Sequence, residues 1–165
     1  MITGATKWNQ VAVLVRDAAY AGLTTKPQRW SVVPGAIAWD ECDCGLLAVS
    51  LNQVFPSDAF PQPYTDRTNP CGAAWQVGEF VVQVVRCAPS PDSQSLAPTT
   101  AELEASALLV QTDVSELLTA VQSLLCGLYD DGSIVDFLIS PLTAQGPHGG
   151  CVGNELRFLV GLGAA

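Results

Sequence analysis

Charge is scarce in this sequence, and positive charge is scarcer still. Only 14% of its 165 residues are charged, whereas a typical soluble domain has about 25%. Seven Lys and Arg residues, scattered singly, oppose sixteen Asp and Glu residues, which gives a formal net charge of −9. Binding nucleic acid through its phosphates requires clustered cations, so the sequence excludes that class of function.

A long apolar run is also missing, although 48% of the residues are hydrophobic. The longest candidate, Val11–Val15, is closed by Arg16 and Asp17, whereas a membrane-spanning helix needs roughly 20 apolar residues. Residues 1–22 lack the apolar segment of a signal peptide, which predicts synthesis and folding in a cytosol. The excess apolar surface is therefore expected to be covered by other protein, as in a subunit of an assembly.

Histidine occurs only once, at His148, so the sequence offers a single histidine as a base for acid–base or nucleophilic catalysis. Such catalysis needs a base beside its nucleophile and a group that orients the base. Cys151 and His148, three residues apart in a Gly-rich loop, are the candidate pair for a small cysteine hydrolase. Because no orienting group is evident, the preferred interpretation is a solvated histidine and no catalytic residue.

The six cysteines do not have the spacing of a structural metal site. Cys42, Cys44, Cys71 and Cys151 would supply four thiolates for zinc, but the first pair is C-x-C and there is no second pair. Structural zinc sites usually use pairs separated by two to four residues. In a reducing cytosol cysteines are mostly thiols, so buried free thiols are expected, with no metal and no cofactor.

Two helices are predicted from hydrophobic spacing and capping signals. The first covers residues 6–21, with Thr6 as its N-cap and Gly22 at a left-handed C-terminal cap. Thr99 and Glu102 form a capping box that opens a second helix running to about residue 126. Its predicted buried stripe consists of Leu103, Ala107, Val110, Val114, Leu117, Val121 and Leu124 or Leu125.

Strands are predicted between and after these helices. Residues 44–51 are apolar on both faces, and residues 75–87 alternate so that Phe80, Val82 and Val84 share one face. Residues 133–140 and 154–162 are predicted as a final strand pair, separated by the Gly-rich loop from Gln145 to Gly153. Asp130, Asp131 and Gly132 form a turn before this pair.

A long loop, residues 52–74, interrupts the predicted strands. Four prolines stiffen it, and loops of this length within a compact domain are usually functional or disordered. Phe55, Phe60 and Tyr64 lie on it, which favours an extended arm that docks on a neighbouring subunit or protein. Together these elements predict one α+β domain over 1–165, with a single mostly antiparallel sheet, an N-terminal helix and one long helix packed on it.

Short segments of the chain resemble tail terminators and related head-to-tail connector proteins of long-tailed phages that infect actinobacteria. The likeness lies in Trp39–Gly45, in Val84–Pro89, and in the order of arm, strand, long helix and C-terminal hairpin. The resemblance implies a structural virion protein without enzymatic activity that forms a ring, typically a hexamer. Such a ring caps the tail tube, joins it to the neck below the capsid, and lets DNA pass through its bore.

The resemblance also implies partners and a location. The partners are further copies of the chain, the major tail tube protein and the head–tail connector or stopper protein, and the location is the virion tail or neck, after assembly in the host cytoplasm. No membrane partner is expected. If DNA passes through the ring, acidic turns are candidates for its lining, because carboxylates repel phosphates; they are Asp40, Glu41, Asp43, Asp130 and Asp131. A head-closure stopper, another neck component and a small Cys/His hydrolase or metal-binding enzyme remain as alternatives.

Overall fold

The computed structural model describes residues 2–37, 45–91, 93 and 95–163. The described elements are helices α1 (Lys7–Gly22) and α2 (Thr100–Asp130) and strands β1 (Arg29–Val33), β2 (Leu46–Ser57), β3 (Trp75–Cys87), β4 (Asp136–Ile139), β5 (Thr143–His148) and β6 (Cys151–Gly163). The predicted α+β class, with one sheet and two helices, is confirmed.

The sheet is mixed, with the strand order β1-β2-β3-β6-β4 and with β5 also paired to β6. β1 is parallel to β2, and the other pairings are antiparallel. β4 and β5 pair with successive parts of the same edge of β6, so together they form one antiparallel partner of β6 with a break between Ile139 and Thr143. The sequence predicts this hairpin but not β5, which lies partly within the predicted Gly-rich loop.

Both helices pack on one side of the sheet, here called the helix face. Trp8 of α1 lies against Gly78 of β3, and Asp113 of α2 is paired with Arg86 near the end of the same strand. The core between these layers has members that are completely buried, including Val15, Phe80, Val82, Val84, Leu117, Val121, Leu156 and Phe158. Each such side chain contributes about 1.5–3 kcal/mol through burial, so this layer stabilises the fold.

The ends of α1 differ from the prediction. Thr6 occupies the N-cap position, but its side chain makes no capping hydrogen bond, and the C-cap is Leu23 in an extended conformation. Gly22 is the last helical residue, and a Cβ atom there would lie 2.6 Å from Cβ of Ala120 in α2. Gly22 therefore allows the two helices to approach closely, which is a packing role and not a capping role.

The start of α2 follows the prediction, but its buried stripe is shorter than expected. Thr99 and Glu102 form the capping box. Leu117, Val121 and Leu125 are completely buried, whereas Leu103 is 52% exposed and Ala107 is also exposed. The stripe predicted from Leu103 onward is therefore wrong for the first three turns of the helix.

Candidate interaction surfaces

The three aromatics of the predicted arm are partly covered by their own chain. Strand β2 continues to Ser57, so the predicted arm 52–74 begins inside a strand, and Phe55 belongs to that strand. Phe55, Phe60 and Tyr64 are all half-buried. The prediction ended the strand at Leu51 because polar residues follow it. In the structure Asn52 lies at a β-bulge and Gln53 pairs again with Glu79, so the strand continues.

The loop after β2 is held by hydrogen bonds within itself. The Ser57 hydroxyl donates to the Gln62 carbonyl at 2.7 Å, and the Tyr64 amide donates to the Pro56 carbonyl at 2.8 Å. The side chain of Phe60 comes so close to Gly161 that a Cβ there would be 3.3 Å from the ring. Phe60 thus covers part of the sheet, and the expectation that the three aromatics contact another subunit stays a prediction.

The acidic candidates are placed only in part. Asp40, Glu41 and Asp43 lie outside the described residues, whereas Asp130 and Asp131 are exposed at the C-terminal end of α2. Asp131 accepts a hydrogen bond from the Ser133 amide at 2.8 Å, and its hydrogen bonds with Ser133 lower the pKa of this carboxyl below its usual range. Asp131 therefore stays ionised at neutral pH and also shapes the turn.

The side of the sheet opposite the helices, here called the far face, carries a row of polar side chains, of which the alternation of β3 predicts Glu79 and Gln83. Arg157 bridges Glu155 at 2.8 Å and Glu79 at 3.4 Å. Gln83 donates to Glu155 at 2.9 Å, and Gln53 donates to Glu79 at 2.7 Å. Because these side chains satisfy one another, the row covers the sheet without presenting a single strong charge.

The candidate hydrolase pair lies at the turn between β5 and β6. His148 is opposite Cys151 in the strand register, but Cys151 is completely buried and disulfide-bonded. This corrects the expectation that all six cysteines are thiols, and it leaves the Cys151 sulfur without the thiolate that a nucleophile requires. Cys71, Cys87 and Cys126 are all exposed, and Cys71 and Cys126 are free thiols.

The predicted zinc ligand set cannot be assembled from the described part of the chain. Cys42 and Cys44 lie outside it, Cys71 is an exposed thiol, and Cys151 is disulfide-bonded. Among the residues that the structure describes, no group of three or more His, Cys, Asp or Glu side chains is arranged to hold a metal ion. In the same part of the chain, no helix is long and apolar enough to cross a membrane.

Besides Leu14, Val54 and Leu96, large apolar side chains are exposed in three places that the sequence pattern did not identify as surface. The first is the N-terminal part of α2, with Leu103 and Leu108 at 52% and 67% exposure. The second is strand β1, where Trp30 is 45% exposed and stacks on Tyr20 of α1 with 4.3 Å between ring centroids. The third is the region of β4 and the end of α2, where the exposed side chains are Tyr129, Val135 and Leu138.

Two of these places lie beside open grooves. A groove of about 370 Å³ separates the first turns of α2 from β5 and β6, and its lining includes Leu103, Ala107, Val110, Pro147 and Val152. A second groove, of about 530 Å³, lies between the middle of α2 and β4, and its lining includes Leu118, Phe137, Leu138, Ile139 and Leu142. Both are lined mainly by apolar side chains, as expected of surfaces that bind protein and not small polar molecules.

Comparisons with known proteins do not identify the chain: no protein-family model matches it, and no curated protein matches it significantly. Of the segments that carry the resemblance, Trp39–Gly45 is described only at Gly45. In Val84–Pro89, Val84 and Val85 are buried sheet residues, and Arg86 forms the ion pair with Asp113. That segment therefore has a structural role, and the class established for this protein is its α+β fold.

Proposed function

We propose that this chain is the ring-forming tail terminator of a long-tailed phage, a structural protein without enzymatic activity. The observation that carries the proposal is the exposure of large apolar side chains at several places, among them three on α2, β1 and β4, in a chain with only 14% charged residues. Exposed apolar patches of this kind mark protein–protein contacts. A ring subunit needs contacts to two neighbours and at least one contact along the tail axis, so three surfaces suit it.

In this proposal the subunit binds further copies of itself, the major tail tube protein and the head–tail connector. DNA passes through the ring without being held. A net charge of −9 supports such a conduit, because each cation placed against the phosphates would strengthen DNA binding. The exposed Asp130 and Asp131 at the end of α2 are the described candidates for a lining that repels the duplex.

Electron microscopy of the purified, concentrated protein tests the proposal. We expect closed rings of one size, with a typical stoichiometry of six, and we expect these rings to bind the open ends of tail tubes. A reconstruction would also show whether the C-terminal end of α2 faces the bore. A protein that remains monomeric at high concentration and does not bind tube ends would contradict the proposal, and binding to the connector alone would favour a head-closure stopper.

A further inference from the structure

The sheet ends in two different strands, β1 on one side and β4 on the other. An edge strand presents unpaired backbone groups that are ready to pair with another chain. Natural proteins protect such edges with short strands and charges, and β1 has five residues starting with Arg29, while β4 has four. Both nevertheless expose a large apolar side chain, Trp30 and Leu138, each at 45%, which a purely protective design would avoid.

The strand directions decide how two copies would join at these edges. β1 runs parallel to β2, and three successive antiparallel pairings lead from β2 through β3 and β6 to β4. β1 and β4 therefore run in opposite directions within one subunit. A neighbouring copy in the same orientation would bring its β1 antiparallel to β4, without being turned over. Such a head-to-tail contact uses two different surfaces, and contacts of that kind close into rings when the rotation between successive copies closes; otherwise they give open filaments.

The side chains at the two edges also match. Trp30 is paired with Leu47, a residue of the helix-face core, and it stacks on Tyr20 of α1, so it projects on the helix side. The 530 Å³ groove beside β4 lies on the helix side as well, because α2 supplies Leu118 to its lining. When β1 of one copy pairs with β4 of another, the Trp30 side chain therefore meets the apolar groove, because both lie on the helix side of the sheet.

We propose that β4 of one copy pairs with β1 of the next and that Trp30 of the next copy occupies the groove between α2 and β4. The proposal rests on the ring-forming function and assigns the surfaces that close the ring. Placing Ile139 opposite Trp30 in an antiparallel register sets Leu138 opposite Ser31. Ser31 and Leu138 are paired within their own sheet to Ala48 and Leu159, which places both side chains on the far face, although Leu138 also contributes to the lining of the groove.

A pair of engineered cysteines tests this register. The double variant Ser31→Cys with Leu138→Cys is expected to form disulfides between copies on mild oxidation and to give a ladder of covalent oligomers on a non-reducing gel. Within one subunit the two positions are separated by four strand spacings, about 19 Å, far beyond the roughly 4.4–6.8 Å between Cα atoms that a disulfide allows. Any disulfide joining them is therefore between copies.

The single variants are the matched controls, since they carry the same native thiols, including the exposed Cys71 and Cys126. We expect neither single variant to cross-link beyond the unmodified protein. Equal ladders from the singles and the double would mean that like edges meet, which would overturn the proposal. Rings visible by microscopy with no ladder from the double variant would also overturn it, and the ring-forming function would stand.

Substitution at Trp30 provides an independent test. Trp30→Glu places a charge on the side chain that is proposed to enter the apolar groove. We expect it to abolish ring formation, measured by native mass spectrometry, whereas Trp30→Phe should retain rings. Leu96→Glu is the control, because Leu96 is more exposed than Trp30 and lies in the connection between β3 and α2, outside both edge strands and the three apolar places. Circular dichroism establishes that each variant folds. Rings that persist in Trp30→Glu while binding to tail tubes is lost would assign this edge to the tube protein and overturn the proposal.

Discussion

The two parts of helix α2 are attached to the molecule by different means. From Leu117 onward, every third or fourth side chain is buried in the core, including Leu117, Val121 and Leu125 at 0% exposure. From Thr100 to Thr112, the described side chains are exposed or half-buried. The N-terminal part is held by its capping box and by a hydrogen bond from the side-chain amide of Asn154 to the backbone carbonyl of Val110 at 2.8 Å. One helix thus serves as core in one part and as surface in the other.

A buried ion pair marks the boundary between these parts. Arg86 donates from Nε and from Nη2 to the two carboxylate oxygens of Asp113, each at 2.8 Å, and also donates to the Thr25 carbonyl at 2.6 Å. The Arg86 and Asp113 side chains are 6% and 1% exposed. A bidentate pair of this kind fixes geometry as well as contributing energy. The comparison teaches that directional polar contacts position the part of α2 that apolar packing leaves uncovered.

Breaking the ion pair should have the largest effect. Asp113→Ala removes the carboxylate that pairs with the buried Arg86 charge, so we expect the free energy of unfolding to fall by about 3–5 kcal/mol. Denaturant unfolding measures the change, and Glu104→Ala, which removes an exposed acid from the same helix, should stay within about 0.5 kcal/mol of the unmodified protein.

A double variant separates loss of the pair from loss of packing. Arg86→Met with Asp113→Leu replaces both charges by apolar side chains, and such replacements are often neutral or stabilising. We expect it to recover most of the stability lost in Asp113→Ala. A loss below about 1 kcal/mol for Asp113→Ala itself would show that the pair does not anchor the helix.

Equivalent leucine substitutions in the two parts of α2 sharpen the comparison. Leu117→Ala creates a cavity in the core and should lower the free energy of unfolding by about 2–5 kcal/mol. Leu108→Ala removes a side chain that is 67% exposed and should change it by less than about 0.5 kcal/mol. Similar losses for both substitutions, measured by denaturant unfolding, would mean that the N-terminal part is packed as tightly as the rest.

The capping box gives the smallest effect, and it depends on pH. Glu102 accepts hydrogen bonds from the amide and hydroxyl of Thr99 at 2.7 and 2.8 Å, which lower the pKa of its carboxyl below the ordinary 4.5. A depressed pKa means that the stabilisation is fully present above the unfolded-state pKa and is lost as the pH falls through the folded-state pKa.

Glu102→Gln is the variant that isolates this contribution. The difference in free energy of unfolding between the unmodified protein and Glu102→Gln should be constant above about pH 5.5 and should shrink toward pH 3. Denaturant unfolding at a series of pH values measures it. A difference that grows as the pH falls would mean that the ionised form of Glu102 does not stabilise the helix.

The parts of the fold that depend on local signals follow from the sequence. Alternation over residues 75–87 predicts β3 with the bounds that the structure has, and the Thr99–Glu102 spacing predicts the start of α2. In both cases the deciding physics lies within a few residues: one buried face of a strand, or two hydrogen bonds across a helical turn.

The parts that depend on distant residues do not follow from it. Leu103 has the spacing of a buried residue but is 52% exposed. The polar contacts that position this end of α2 involve Arg86 on β3 and Asn154 on β6. Gly153 belongs to a predicted Gly-rich loop, yet it pairs with Val85 in the sheet. A Cβ at Gly153 would lie 2.0 Å from the Val84 carbonyl oxygen, so the glycine permits a close approach that only the assembled sheet shows.

The candidate surfaces were less accessible to sequence reasoning than the fold. Composition predicts that apolar surface must be covered by other protein, but it does not locate that surface. Trp30 and Leu138 become exposed because β1 and β4 are the last strands of the sheet, and strand order is a property of the whole chain. Phe55, Phe60 and Tyr64, which the loop composition singles out, are half-buried against their own subunit.

The central strand pair, β3 with β6, has a consequence for how the chain folds. Its register runs from Cys87 opposite Cys151 to Trp75 opposite Gly163, so every pairing joins residues more than 60 positions apart, whereas β2–β3 and β5–β6 join near neighbours in sequence. Closing long loops costs entropy before any contact compensates for it, and folds rich in distant pairings form slowly. The pairs β2–β3 and β5–β6 close shorter loops, so we expect them to form before β3 pairs with β6, which leaves one edge of β3 and one edge of β6 unpaired until then. During that interval β3 and β6 are edges open to aggregation, so the yield of folded subunit should depend on how quickly this seam closes during synthesis.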